Sequence, residues 1–233
     1  MTTAALSPIL VTGAHRTGTT WVGKMLAANP RTAYISEPLN VLHRPGVMRA
    51  KVAYWYTYVT GDNEADYLDS LRETLDYRYH LPAEIGSLRS GRDFLRMGRD
   101  LSIFLGGRAF HRRPLLKDPF AVFSLAWFAD RLNCDIVVTV RHPAGFASSL
   151  KRLNWSFDFQ DLLNQPLLMR DWLEPYRSRM QVMPLEDIIG QASLLWMMVY
   201  ESVQKACRNI PTVRVVRHED LSSDPGAGLS QTL

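Results

Sequence analysis

The chain has 233 residues, 46% of them hydrophobic, and a net charge of +4 at neutral pH. This apolar content is enough for one large α/β domain, which we expect to span residues 1–233. Only two cysteines are present and they lie far apart, which excludes a cysteine-rich metal site, and no apolar stretch is long enough to cross a membrane. Since the first eight residues also lack the features of a secretion signal, we expect a cytoplasmic protein.

Residues 8–26, PILVTGAHRTGTTWVGKML, predict a buried strand, a turn and a helix. Gly13 and Gly18 have the spacing of a nucleotide-binding P-loop, in which amide hydrogens at the start of the helix bind an anion. Thr19 replaces the lysine of that motif, and the positive charge is found inside the loop at Arg16. Because that lysine contacts the β- and γ-phosphates of ATP, its replacement argues against triphosphate chemistry. A P-loop kinase or NTPase remains the alternative.

The later segments predict strands that alternate with helices. Strands are predicted at residues 32–35, 114–117, 135–140 and 212–216, and helices after Asp118, after Pro143, over 65–79, 92–105 and 167–180, and from Pro184 onwards. Residues 46–60 are rich in aromatic side chains and predict a helix or helix-loop near the site. Because no hairpin signal interrupts this alternation, we expect a three-layer α/β fold with a doubly wound parallel sheet.

Arg141 lies at the end of a predicted strand, and Ser149 lies eight positions on, in the helix that follows. A guanidinium and a hydroxyl suit a terminal phosphate. The spacing of Arg141 and Ser149 carries little weight alone. Together with the loop at residues 13–18, the first loop, it predicts phosphate sites at the ends of two strands. The pair of sites predicts a nucleotide that is phosphorylated at both ends, which ATP is not.

The segment HRTGTTW resembles the 5′-phosphosulfate loop of the sulfotransferases, which use 3′-phosphoadenosine 5′-phosphosulfate (PAPS) and are similar to P-loop kinases in fold. Tyrosylprotein and many bacterial members carry arginine at the position of Arg16, whereas cytosolic members commonly carry lysine. The resemblance covers roughly residues 7–225. It implies a P-loop NTPase-like fold and transfer of a sulfuryl group, without a metal, to the hydroxyl of a carbohydrate, tyrosyl or small-metabolite acceptor.

The resemblance also implies roles for individual residues. Those expected to bind PAPS are Arg16, Thr17, Gly18, Thr19, Thr20, Trp21, Arg141 and Ser149. Arg16 would also be catalytic, by neutralising the leaving 5′-phosphate. Trp21 would stack on adenine, although the core face of a helix is an equally good interpretation of this residue. Glu37, in SEPLN, resembles a glutamate of tyrosylprotein and carbohydrate sulfotransferases and is the first candidate for the base, with His43 and His111 as alternatives.

The C-terminal part departs from the family pattern. The segment at residues 217–221, RHEDL, resembles a tyrosine-glutamate-aspartate-leucine segment that we expect to be structural, with His218 in place of tyrosine. The basic loop that follows it in cytosolic members is absent. We therefore expect either that this branch of the family lacks the loop or that the chain is truncated at its C-terminus. No nucleic-acid motif is present, so the expected partner is a small-molecule or carbohydrate acceptor.

Overall fold

The computed structural model of the protein describes residues 6–223. The described chain contains a five-stranded parallel sheet with helices on both faces, which confirms the predicted doubly wound α/β fold. Its strands are β1 (Ile9–Gly13), β2 (Thr32–Ser36), β3 (Arg113–Lys117), β4 (Asp135–Val140) and β5 (Val213–Arg217). Across the sheet the order is β2-β3-β1-β4-β5. The predicted absence of a C-terminal basic loop concerns residues that lie mostly outside the described range.

The helices connect these strands or follow them. They are α1 (Thr19–Leu26), α2 (Leu68–Leu75), α3 (Leu81–Ser87), α4 (Gly91–Ala109), α5 (Leu125–Leu132), α6 (Pro143–Arg152), α7 (Gln160–Leu163), α8 (Pro166–Leu168), α9 (Arg177–Gln181), α10 (Ile188–Asn209) and α11 (His218–Ser223). Short 3-10 segments occur at Glu64–Asp66, Pro119–Ser124 and Glu174–Tyr176, and a π-helical segment at Met169–Leu173.

The core lies on both faces of the sheet. In β1, Ile9 and Val11 belong to one buried cluster and Leu10 to the other, because successive side chains of a strand point to opposite faces. The cluster of Leu10 also contains Phe146 from α6, while that of Ile9 contains Val22 from α1. The sheet is therefore the middle of three layers.

Three predicted elements differ from the structure. Residues 46–60 form turns and extended chain instead of the expected helix or helix-loop, because Tyr56 takes a left-handed backbone conformation (φ 58°) and its hydroxyl is bonded to the first loop. The predicted helix at 167–180 is broken into short pieces at Pro175, which cannot donate a helical hydrogen bond. Helix α10 begins at Ile188 rather than at Pro184, because the Asp187 carboxylate caps it by accepting from the amide of Gly190 (2.8 Å).

The parallel sheet brings the carboxyl ends of its strands to one edge. Strand β1 lies between β3 and β4, so the turns after these three strands are neighbours. Strand β2 pairs with β3 on one side and β5 with β4 on the other. Open parallel sheets bind ligands at this edge, and the residues predicted to bind phosphate all follow strand ends there.

Candidate functional site

The first loop depends on its two glycines. Gly13 and Gly18 have φ angles of 138° and 100°, which side-chain-bearing residues rarely adopt. A Cβ atom on Gly13 would collide with the carbonyl oxygen of Thr139, and one on Gly18 would lie 2.8 Å from Nδ1 of His218. The loop between β1 and α1 is therefore pressed against both β4 and α11.

The loop presents backbone amides at the start of α1. The amides of Thr19 and Thr20 lie in the first turn, where a helix offers no internal acceptor, and no side chain within residues 6–223 caps this end. The Thr17 hydroxyl points inward: it donates to the carbonyl oxygen of Ala14 (2.5 Å) and lies 2.8 Å from Oγ1 of Thr139. Thr17 therefore shapes the loop, and the free amide hydrogens together with the helix dipole attract an anion.

Two tyrosines, the buried Tyr56 and the partly buried Tyr200, support the loop from behind. The Tyr56 hydroxyl accepts from the amide of His15 (3.1 Å) and lies 2.6 Å from Nδ1 of its ring. The Tyr200 hydroxyl accepts from the amide of Ala14 (3.4 Å) and donates to the carbonyl oxygen of Thr139 (2.8 Å). Burial, and secondarily the charge of Arg16, lowers the pKa of His15 to about 4. His15 is therefore a neutral part of the framework at physiological pH.

The structure brings together three of the residues predicted to bind phosphate, Arg16 of the first loop and Arg141 and Ser149, which follow β4. Nε of Arg16 lies 3.4 Å from the hydroxyl of Ser149, and Nη1 of Arg141 donates to the carbonyl oxygen of Arg16 (3.3 Å). The carbonyl oxygen of Arg141 in turn accepts from the indole nitrogen of Trp196 (2.8 Å). Two guanidinium groups and a hydroxyl therefore converge beside the first loop, as an anion site requires.

The RHEDL segment, residues 217–221, packs beside Gly18 and Trp21. Sequence reasoning did not predict this contact. The rings of His218 and Trp21 meet edge to face with centroids 6.4 Å apart. Nδ1 of His218 is buried and has no hydrogen-bond partner among the described residues. Burial, followed by the charge of Arg141, lowers the pKa of His218. The Glu219 carboxylate accepts from the amide of His142 (2.9 Å), which ties α11 to the turn after β4.

Glu37 lies at the end of β2 in an ion pair with Lys117, the last residue of β3. Its second carboxylate oxygen accepts from the side-chain amide of Asn40 (2.6 Å), and its backbone has φ 51°. Lys117 is buried, with 3% of its surface exposed. A lysine that ends a buried strand is the sequence signal for this pair, but the order of strands that makes β2 and β3 neighbours was not predictable.

The two histidines considered as alternative bases lie in different places. His43 lines the same cavity as Glu37, and its Nδ1 lies 2.8 Å from the carbonyl oxygen of Asn40. Because a carbonyl oxygen only accepts, Nδ1 carries the hydrogen and Nε2 keeps a free lone pair. His111 is exposed and precedes β3, at the opposite edge of the sheet. The structure therefore separates His111 from the other site residues.

A half-open cavity of about 580 Å³ adjoins the first loop. It is bounded by α1, the ends of β2 and β3, the turns after β2, and α4. Its lining residues are Thr20, Lys24, Tyr34, Ile35, Ser36, Glu37, Asn40, Leu42, His43, Arg44, Val47, Arg99, Asp100, Ile103, Phe104 and Lys117. This volume is typical of small-molecule sites.

Comparison with known families agrees with this geometry. A sequence model described as the sulfotransferase family matches residues 8–232. The chain belongs to the sulfotransferase family. Membership of this family indicates a transferase, and the family generally uses PAPS as the sulfuryl donor. A search of curated proteins found no match at the threshold used.

Several solved sulfotransferase structures resemble this one. The sulfotransferase domain of the curacin biosynthetic pathway is 17% identical, with 98% of this chain and 73% of that chain covered and a TM-score of 0.49. A sulfotransferase from Mycobacterium tuberculosis is 20% identical, with 98% and 67% covered and a TM-score of 0.49. One from Alicyclobacillus acidocaldarius is 15% identical, with 95% and 77% covered and a TM-score of 0.43.

Two kinds of feature are absent from residues 6–223 of this sulfotransferase. In that range, three or more histidine, cysteine or carboxylate side chains never cluster in a way that could hold a metal ion. No helix of the same range combines the length and the apolar character needed to cross a membrane.

Proposed function

We propose that the protein transfers a sulfuryl group from PAPS to the hydroxyl of an acceptor bound in the cavity beside Glu37. The observation that carries this proposal is the convergence of Arg16, Arg141 and Ser149 next to the free amides of α1. Two adjacent anion positions suit a nucleotide with phosphates at both its 3′ and 5′ ends. PAPS has this form, and when bound it supplies a sulfuryl group activated by its link to the 5′-phosphate.

On the donor side, we assign the 5′-phosphate to the amides of Gly18, Thr19 and Thr20. Arg16 neutralises the charge that develops there as the sulfuryl group leaves. Arg141 and Ser149 hold the 3′-phosphate through charged and hydroxyl hydrogen bonds. Trp21, whose ring is half-buried against His218, provides the face for adenine stacking.

On the acceptor side, we assign the general base to Glu37. Its carboxylate faces the cavity at the end of β2 and accepts the proton that the acceptor hydroxyl loses. The Lys117 ammonium and the Asn40 amide fix its position, as a positioned base requires. His43, with its free Nε2, is the alternative base in the same cavity.

The donor assignment is tested by calorimetry with 3′,5′-adenosine bisphosphate, AMP and ATP in the absence of magnesium. We expect the wild type to prefer the bisphosphate and Arg141→Ala to lose about 10- to 100-fold in bisphosphate affinity, since a charged hydrogen bond is removed. Arg208→Ala, an exposed arginine at the end of α10, is the matched control. Equal affinity for bisphosphate and AMP in the wild type would contradict the proposal, and magnesium-dependent ATP binding would favour a P-loop kinase or NTPase.

The base assignment is tested with Glu37→Gln and His43→Gln. If Glu37 is the base, its replacement lowers turnover by about 10²- to 10⁴-fold and leaves bisphosphate affinity unchanged, because glutamine keeps the shape but not the proton acceptor. His43→Gln is expected to retain most of the activity. The reverse ranking of the two variants would transfer the role to His43.

A further inference from the structure

The cavity beside Glu37 carries more positive than negative charge. Its lining contains four cationic side chains, Lys24, Arg44, Arg99 and Lys117, and two carboxylates, those of Glu37 and Asp100. Both carboxylates are already neutralised, by Lys117 and Arg99 respectively. Arg44 is paired with Glu84 and Asp93, which lie outside the lining, so the uncompensated positive charge of the cavity is that of Lys24.

Two of these cations have donors available for a ligand. Lys24 is exposed and forms no ion pair within residues 6–223. Arg99 directs Nε and Nη2 to one oxygen of Asp100 (2.9 and 2.8 Å), which leaves its Nη1 hydrogens free toward solvent, and 61% of its side chain is exposed. Lys117, by contrast, is buried and held by Glu37.

These cations lie away from the anion site of the first loop. Lys24 is one helical turn beyond Thr20, which is about 6 Å farther along the axis of α1. Arg99 belongs to α4, which covers the edge strand β2 and is far in sequence from both phosphate-binding segments. The rest of the lining is largely apolar and includes Tyr34, Ile35, Leu42, Val47, Ile103 and Phe104.

We infer that the acceptor is a small molecule with an apolar body, a hydroxyl to be sulfated and an anionic group, and that Lys24 and Arg99 bind the anionic group. The inference rests on the proposed function, because Glu37 defines where the hydroxyl lies. A neutral acceptor would leave the excess charge of the cavity without a partner, and a cationic acceptor would be repelled by it. The acceptor anion completes the charge balance of the cavity.

Three phenols of similar size and different charge test the inference: 4-hydroxyphenylacetate, its neutral amide and the cation tyramine. Their affinities are measured by calorimetry with and without saturating 3′,5′-adenosine bisphosphate. We expect the carboxylate to bind about two- to fivefold more tightly than the amide, the amine to bind most weakly, and the preference to shrink as salt is raised. Lys24→Gln should reduce the difference between the carboxylate and amide affinities, because only Arg99 then remains to bind the anionic group. Lys51→Gln, which changes an exposed lysine outside the cavity, should preserve the difference.

Two outcomes would overturn the inference. In the first, the amide binds the wild type as tightly as the carboxylate, which includes the case in which none of the phenols binds. In the second, Lys24→Gln leaves the preference for the carboxylate as large as in the wild type. Failure of the proposed function would look different, because the protein would then not bind the bisphosphate, whereas the phenol measurements without nucleotide would still report the charge preference of the cavity.

Discussion

Gly13 is a residue on which the shape of the first loop depends. In Gly13→Ala, a Cβ atom would meet the backbone oxygen of Thr139 at a φ of 138° that alanine disfavours. We expect the free energy of unfolding to fall by about 1–3 kcal/mol, as measured by chemical denaturation. The matched control is Gly61→Ala, since no described atom lies within 4 Å of the added carbon, and a change within about 0.5 kcal/mol is expected there. Equal stability of the two variants would contradict the close packing of the loop.

His15 should make stability depend on pH. Its folded pKa of about 4 lies below the unfolded value of about 6.5, so between these values the unfolded chain binds a proton that the folded protein does not. The contribution of His15 is therefore complete above pH 6.5 and is lost as the pH falls toward 4, by roughly 3 kcal/mol in total.

The measurement is the free energy of unfolding between pH 4 and 7. His15→Gln should flatten the curve in this window even if the variant is less stable throughout. Replacing the exposed His111 with glutamine should leave the slope unchanged. Parallel curves for wild type and His15→Gln would show that His15 does not titrate as its burial requires.

The site was only partly predictable from these residues. Arg16, Arg141 and Ser149 could be expected to meet, because strand ends of a parallel sheet share one edge. The pairing of Lys117 with Glu37 and the position of His218 beside Gly18 depend on strand order and on the docking of α11. These are long-range contacts that leave no periodic pattern in the sequence.

Helix α10 fixes the separation between the first loop and the turn after β4, the two segments proposed to bind phosphate. Trp196 and Tyr200 lie one turn apart on the same helix, with ring centroids 4.9 Å from each other. Trp196 holds the carbonyl oxygen of Arg141, while Tyr200 bridges Thr139 of β4 and Ala14 of the first loop. Helix α10 therefore holds the ends of β1 and β4 at a fixed distance from each other.

Tyr200→Phe should weaken the binding of a ligand that contacts both the first loop and the turn after β4. The binding of a ligand that contacts only one of these segments should weaken less. We expect bisphosphate affinity to fall about three- to tenfold, because net hydrogen-bond energy is lost, and AMP affinity to change less. The control is Tyr176→Phe, which removes a hydroxyl that bonds Glu201 of α10. An equal loss of affinity for both nucleotides would indicate a general effect on folding. That result would contradict the role of α10 in holding the two segments at a fixed distance.

The helices and strands that were predicted correctly are those with strong local signals in the sequence. The β-branched run at residues 135–140 gave β4 with its observed ends, because strand propensity and burial agree there. Helix α4 was likewise indicated by the spacing of its apolar residues. The prediction of a helix or helix-loop at residues 46–60 was wrong because the hydroxyl of Tyr56 bonds His15, a tertiary contact that overrides the aromatic pattern.

At the scale of the whole molecule, the site joins the ends of all five strands. Bisphosphate at 100 times its Kd should raise the free energy of unfolding by about 2.7 kcal/mol. Because the proposed ligand spans two segments, hydrogen exchange should slow together in residues 13–20 and 141–149. Adenosine, which has no phosphate, is the control. Protection limited to residues 13–20 would contradict the two-phosphate arrangement.

Helix α4 contributes Arg99, Asp100, Ile103 and Phe104 to the cavity, yet the residues assigned to the donor come from other segments. It lies in the long connection between β2 and β3, and Tyr56, which supports the first loop, precedes it in the same connection. We therefore expect that residues 81–109, which contain α3 and α4, can be exchanged as one block without changing the residues assigned to the donor. Under the proposed function, substitutions in α3 and α4 would therefore change the choice of acceptor and leave the residues assigned to the donor in place.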